Sequence, residues 1–220
     1  MEPTLWVGHN LKTAWVLLRL HQLTGNARYA ELAQRIAEVQ SEKGWDDRYG
    51  GWRFWFQDER LSSAYDKERW WTPAVEIRDW WTQTEGNFLM LNLYRLTGRP
   101  EYLETFQRTA VLWDRHLVDH EHGDVFEQVQ PNGEPAKTQK GHLYKSAYHV
   151  MEHALFNYLY LSFWVEKRDV ELHFLLSAEH EGERHAVKLV EDPDVILKRV
   201  EIDGKEWKQC NHLGNHGWRA

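Results

Sequence analysis

The sequence predicts a mostly α-helical chain of stacked helical hairpins, followed by a small β-rich C-terminal appendage. Three observations carry this reading. Apolar residues recur with a helical period from Leu11 to about Trp164, one hairpin is a copy of another, and from Asp169 onward the apolar period drops to two.

Leu11, Trp15, Leu18 and Gln22 stand at i, i+4, i+7 and i+11, which predicts an amphipathic helix over about Leu11 to Leu23. Gly25-Asn26 closes it, and Ala27 to Glu42 opens a second helix with Tyr29, Leu32, Ala33, Ile36 and Val39 on one face. So short a link makes the two a hairpin. Gly44 to Tyr65, rich in Gly, Asp and aromatic residues, reads as a long irregular excursion, the kind of segment in which function concentrates.

The next hairpin repeats the first. Leu20, Leu23, Thr24, Gly25, Tyr29, Glu31, Gln34, Arg35 and Ala37 align with Leu93, Leu96, Thr97, Gly98, Tyr102, Glu104, Gln107, Arg108 and Ala110. The same alignment sets Lys12 opposite Glu85 and Trp15 opposite Phe88. Such self-similarity marks stacked structural repeats. A second loop, Val118 to Gly141, leads to a fifth helix over about Lys145 to Trp164, whose hairpin partner is missing. Beyond it Val170, Leu172, Phe174 and Leu176 alternate with other residues, as do Val187 and Leu189, while Val200 and Ile202 run into Asp203-Gly204 and Trp207. These read as strands, with Asp-Gly as a hairpin turn. The division falls between a helical unit, residues 1–165, and a β-rich appendage with a disordered tail, residues 166–220.

Composition narrows the function classes. Across 220 residues the formal charge is -7, so no basic field gathers phosphates and nucleic acid is not an expected partner. A single cysteine, Cys210, excludes an internal disulfide and points to a reducing, cytoplasmic setting. No apolar stretch reaches membrane-spanning length, and no signal peptide is visible at Met1. Trp and His, at 13 each, exceed what core packing calls for.

Three segments bring polar groups to the openings of predicted inner helices: Gly8-His9-Asn10-Leu11-Lys12, Trp80-Trp81-Thr82-Gln83-Thr84-Glu85, and Lys145-Ser146-Ala147-Tyr148-His149-Val150-Met151-Glu152. Charged residues follow three positions after a polar one, on the same helix face. Around a common axis the three faces converge on one mouth. His9 and His149 fall in or near first turns, where the helix dipole disfavours imidazolium and leaves a neutral base near pH 7. A single histidine so placed is more often a cap or a core residue; convergence of three segments is what favours chemistry.

These segments resemble, in order, the Gly-His-x-x-Glu, Trp-Trp-x-Gln-x-Glu and Lys-x-x-Tyr-His-x-x-Arg motifs of the N-acylglucosamine 2-epimerase and cellobiose 2-epimerase family. The resemblance covers about residues 5 to 165. It implies a partial (α/α)6 barrel and isomerisation or epimerisation of a mono- or disaccharide at C2. It also makes His9 and His149 the acid/base pair, with Trp80, Trp81, Glu85, Lys12, Tyr148, Lys145 and Glu152 around the substrate. The residues suit that chemistry. Removing a proton beside a carbonyl and returning it on the other face needs one base and one acid, and two histidines supply both without a cofactor. Donors or cations must meet the enediolate charge, and Trp rings cover the apolar faces of sugars.

Departures from the family pattern accompany the likeness. Lys12 stands where the family has Glu and Glu152 where it has Arg, an exchange that either restores an ion pair with reversed polarity, the reading preferred here, or marks a changed substrate or a lost activity. Five helices are too few for a twelve-helix barrel. The chain therefore reads as the C-terminal half of a longer protein or as one that associates with a homo-oligomer partner, with helix faces exposed until it does.

Two rivals remain. An (α/α)6 glycoside hydrolase would use paired carboxylates, with Asp46, Asp47, Asp66, Glu76, Asp79 and Glu85 as candidates. A sugar-binding or scaffold fragment would keep its histidines without catalysis. Metal readings are weaker: His116, His120 and His122 leave a helix end, Cys210, His212 and His216 lie in the tail, and no metal site is expected. No phosphate loop or Ser-centred nucleophile motif is present.

Overall fold

The computed structural model describes residues 4–57, 77–175, 186–187, 190–207, 211–212 and 218–219. Strand β1 (Thr4–Trp6) leads into helix α1 (Val7–Thr24), and α2 (Ala27–Lys43) returns beside it. β2 (Trp55–Gln57) pairs antiparallel with β1, Trp6 facing Trp55. The second hairpin is β3 (Arg78–Asp79), α3 (Trp80–Thr97) and α4 (Pro100–Leu112), the last extended by a π-helical turn at Trp113–Leu117. β4 (Gln128–Val129) and β5 (Pro135–Lys137) join β3 in a small antiparallel sheet before α5 (Tyr148–Tyr160), which ends in a π-helical turn at Leu161–Val165.

Local chemistry sets these boundaries. Gly25 and Gly98 close α1 and α3 in the same left-handed conformation, each at φ 70°, where a side chain would be strained. Asn26 caps α2 by accepting from the Arg28 N–H at 3.0 Å, and Pro100 opens α4 at the position where its missing N–H costs nothing. The two hairpins thus share both their turns and their repeat.

Helices α1, α3 and α5 form the inner layer and α2 and α4 the outer. α1 and α5 each pack on α3, so α3 is buried on every side from Thr82 to Leu93. Ala30, Ala33 and Ala37 let α2 approach α1 closely, and Leu11, Trp15, Leu18, Phe88, Leu89 and Tyr160 fill the space between inner helices. None of the described helices is long and apolar enough to cross a membrane. On α5 the far face is bare: Tyr148, Met151, Leu155 and Tyr158 form a helical stripe, with Met151 65% exposed.

Two sequence expectations are corrected. The fifth helix starts at Tyr148, not at Lys145: Lys145 is held outside by two backbone hydrogen bonds with His142, at 3.0 and 3.2 Å. The strand expected over Val170 to Leu176 does not form at residues 170–175, since alternation provides a side-chain pattern but no neighbour for the backbone ladder; Leu176 lies outside the described residues. The Asp-Gly hairpin is present: β7 (Glu201–Ile202) pairs with β8 (Lys205–Glu206) across Asp203 and Gly204, both at positive φ. β6 (Ala186–Val187), β9 (Asn211–His212) and β10 (Trp218–Arg219) make a three-stranded sheet in the order β6-β10-β9.

The appendage is tied to the helical unit at the end away from the histidines. Asp192, itself buried, accepts from Arg95 Nε and from Trp164 Nε1, each at 2.7 Å, while Glu191 takes Arg19 Nε at 2.6 Å.

Candidate active site

The site is assembled at the N-terminal ends of the inner helices. Gly8 lies in the first turn of α1 because Trp81 packs directly on its backbone: an added Cβ would stand 2.3 Å from a Trp81 ring carbon. The next residue, His9, meets Trp6 and Trp81 edge-on, with ring centroids 5.7 and 5.0 Å away. Burial, and then the charge of Lys12, lower its pKa below the ordinary imidazole value, so His9 is neutral near pH 7. His149, in the first turn of α5, reaches the same Trp81 indole at 6.0 Å. One tryptophan from α3 therefore touches a histidine from each flanking inner helix.

Below Trp81 lies a charged cluster. Glu85 is fully enclosed; Lys12 Nζ donates to its Oε1 at 3.0 Å and Trp15 Nε1 to its Oε2 at 2.5 Å. Burial raises the Glu85 pKa, with Trp15 and Lys12 working against the rise. Burial also disfavours the Lys12 ammonium, but Glu85, then Glu152, outweigh it and the Lys12 pKa is raised. Glu152 is set one turn beyond His149; its Oε2 lies 3.2 Å from His149 Nδ1 and its Oε1 accepts from the Tyr148 hydroxyl at 3.1 Å. Its burial is overcome by His149 and Lys12, which hold its carboxyl below the usual range.

The exchanged charges at Lys12 and Glu152 thus belong to one cluster with Glu85, His149 and Tyr148. Among the described residues, Glu85, His149 and Glu152 are also the one group of three with ligand-type atoms within 4.8 Å of one another. Lys12, bonded to Glu85, already supplies the positive charge there, and we read the group as an ion-pair cluster.

Lys145 stands apart from it, and Trp80 lies between the two. Trp80 turns into a second core with Leu112, Trp113, Leu117, Val125 and Val129, and its ring lies against both His149, at 6.2 Å, and the Lys145 ammonium, at 5.6 Å. Lys145 is fully buried and donates to the Lys140 carbonyl at 2.7 Å. Beside it, His142 Nε2 lies 2.7 Å from Glu127 Oε2. Asp79 caps α3 by accepting from the Thr82 N–H, and burial pushes its pKa up to about 7.

Sequence reasoning passed over Trp15, although its place three residues after Lys12 on one helix face was a usable signal. It also passed over Phe54, which meets Trp6 at 4.9 Å and Trp81 at 6.4 Å. Of the hydrolase candidates, Asp46 is bonded to buried Arg78, Asp47 to Arg108 at 2.6 Å, Asp79 to the α3 N-terminus and Glu85 to Lys12. Asp66, Glu76, Cys210 and His216 lie outside the described residues. His120 is bonded to the Asp114 carbonyl at 2.6 Å, and His116 packs against Gly133, so these two do not share a ligand position.

Residues 2–153 match the family profile described as N-acylglucosamine 2-epimerase (GlcNAc 2-epimerase). The chain belongs to this family. N-acylglucosamine 2-epimerase of Bos taurus is 31% identical over 144 residues, which is 65% of this chain and 32% of the bovine protein. The chain therefore aligns with about a third of that relative's length. Among solved structures, a D-mannose isomerase superposes with a TM-score of 0.59 at 21% identity, covering 72% of this chain and 38% of that one. Cellobiose 2-epimerase of Spirochaeta thermophila DSM 6192 gives 0.58 at 24% identity, covering 74% and 39%. The likeness places the hairpins in the (α/α)6 class, of which this family member shows a part.

Proposed function

We propose that the chain bears the proton-transfer site of a sugar epimerase or aldose–ketose isomerase acting at C2 of an aldose or N-acyl amino sugar. The observation that carries this is the shared contact of His9 and His149 with Trp81, each histidine coming from the first turn of an inner helix flanking α3. With the open-chain sugar against the Trp81 indole, one neutral imidazole takes the C2 proton. Negative charge collects on the carbonyl oxygen as the enediolate forms, and the other imidazole, protonated, returns a proton to C2. Return to the opposite face of C2 gives the epimer. Return to C1, with the hydroxyl proton of O2 passing to O1 so that C2 becomes the carbonyl, gives the ketose and needs only one base for the carbon proton. Lys12 and Tyr148 are the donors nearest His149 and Glu152 on the charged side of this mouth.

The bare stripe on α5 supports a barrel completed by further helices, in the same polypeptide or in a second copy of the chain.

Incubation with mannose, glucose and N-acetylglucosamine in heavy water tests the reading. Deuterium uptake at C2 with interconversion, abolished in His9→Ala and His149→Ala, supports it. Glycosidic cleavage without uptake would establish a hydrolase, and saturable sugar binding untouched by His149→Ala, with no exchange, a binding module.

A further inference from the structure

His149 Nδ1 faces two carboxylates. Glu152 Oε2 lies at 3.2 Å and Glu85 Oε1 at 3.5 Å. A bare nitrogen there would set a lone pair against two acceptors, so Nδ1 carries the proton. The two carboxylates are not equivalent as its partner. Both Glu85 oxygens are engaged, Oε1 by Lys12 and Oε2 by Trp15. Glu152 Oε1 is engaged by Tyr148, whereas Glu152 Oε2 and His149 Nδ1 are each buried without a hydrogen bond; they lie 3.2 Å apart, so a small turn of either side chain joins the two atoms that lack partners. Both of these atoms are closed off from solvent. The side chain of Glu152 is only 8% exposed and that of His149 21%, so the open part of the imidazole lies away from Nδ1.

We propose that Glu152 is a positioning residue for His149: its Oε2 takes the Nδ1 proton, fixing the tautomer in which Nε2 is bare and free to exchange protons with a bound molecule. The same arrangement steadies the imidazolium once Nε2 has gained a proton. The groups facing the ring are Glu85 from α3, Tyr148 and Glu152 from α5, and the indoles of Trp80 and Trp81, with the Lys12 ammonium behind them on Glu85 and the Tyr148 ring. The role in turnover rests on the proton-transfer reading above, but the tautomer does not.

Nitrogen-15 NMR of histidine-labelled full chain decides the tautomer, with the His149 signals identified as those lost in His149→Gln. The expected wild-type spectrum has a protonated Nδ1 and a bare Nε2 at His149. In Glu152→Gln, whose amide can donate to Nδ1 as well as accept from it, that preference is lost. In C2 exchange assays, Glu152→Gln lowers kcat by at least about tenfold, the direction seen when a histidine loses its orienting carboxylate, while KM changes little. A protonated Nε2 in the wild-type chain, or an unchanged tautomer in folded Glu152→Gln, overturns the proposal whatever the sugar assays give. If Glu152→Gln does not fold, the wild-type spectrum alone decides. If the tautomer is as stated but wild-type chain exchanges no sugar proton, the failure belongs to the proton-transfer reading.

Discussion

Lys12 and Glu85 hold the same place in successive repeats, and their side chains meet at 3.0 Å. The neighbouring equivalents, Trp15 and Phe88, also touch, with ring centroids 5.7 Å apart at 87°. Equivalent positions sit at equal height on adjacent inner helices, so a duplication that sets one residue type in one repeat and its complement in the next produces an ion pair across the seam. Glu85 depends on that pairing because it is fully enclosed.

Removing the ammonium therefore costs stability in a pH-dependent way. Lys12→Met leaves the Glu85 carboxylate with Trp15 as its one donor, a loss of about 1–3 kcal/mol near neutral pH. The folded-state pKa of Glu85 is already above its unfolded value and rises further in the variant. A raised carboxyl pKa disfavours the folded state as pH increases through it, so the deficit narrows as the solution is acidified. Urea denaturation of both proteins from pH 4 to pH 8 measures this.

The charge exchange is tested by a double-mutant cycle. Lys12→Glu places a third carboxylate beside Glu85 and Glu152, and Glu152→Arg places a second cation beside Lys12; each single change lowers C2 exchange. Together they restore one charge of each sign, and the double variant should exceed either single one. A double variant no better than the singles removes the idea of exchange.

Gly8→Ala should cost about 1–3 kcal/mol, the range for overpacking a tight contact, because its Cβ would fall 2.3 and 2.4 Å from Trp81 ring carbons. Trp81 has to move, and with it the surface shared by His9 and His149. Thermal unfolding reports the first effect and sugar proton exchange the second, with activity falling by more than the unfolded fraction accounts for.

Asp79→Asn isolates a buried carboxyl. Asparagine caps a helix as well as aspartate, so the α3 N-terminus is kept. With the Asp79 pKa at about 7, raised by burial and further by Glu127, wild-type stability falls relative to the variant as pH rises from about 4 to about 7, then levels. The variant gains by no more than about 4 kcal/mol at pH 8, and by nothing near pH 3. Denaturation midpoints at the two ends of this range check the sign.

Asp192→Ala removes the acceptor of both Arg95 and Trp164 inside a closed contact. Arg95 is partly exposed and keeps Asp194 as a partner, so the loss is that of the buried Trp164 donor and part of one ion pair, about 1–3 kcal/mol. It should appear as earlier melting of the helices themselves, followed by circular dichroism, since the residues Asp192 anchors lie at the end of α3 and in the π-helical turn that ends α5.

What the sequence made legible is what local pattern encodes. The helical period locates α1 and α2, Gly25 and Gly98 mark the turns, and the repeat carries the reading over to α3 and α4 and sets Lys12 opposite Glu85. Less legible was whatever depends on a partner far along the chain. Lys145 lies inside a motif that reads as a helix opening, yet its side chain goes to the Lys140 carbonyl, and nothing local announces it. Trp15 looks like one more apolar residue of α1, because an indole N–H is invisible to periodicity. Asp192 and Arg95 are 97 residues apart, and the alternation from Val170 to Phe174 could not reveal that no strand among the described residues lies beside it.

The uncovered stripe on α5 begins at Tyr148, which is 58% exposed and donates to Glu152. A helix packed on that stripe would cover the Tyr148 end of a line of side chains that runs through Glu152 to the ring of His149. Such cover would change the polarity around one phenol and thereby the acceptor strength of one carboxylate. On the proton-transfer reading proposed above, association at the rim and exchange at the mouth would then be coupled through a single side chain.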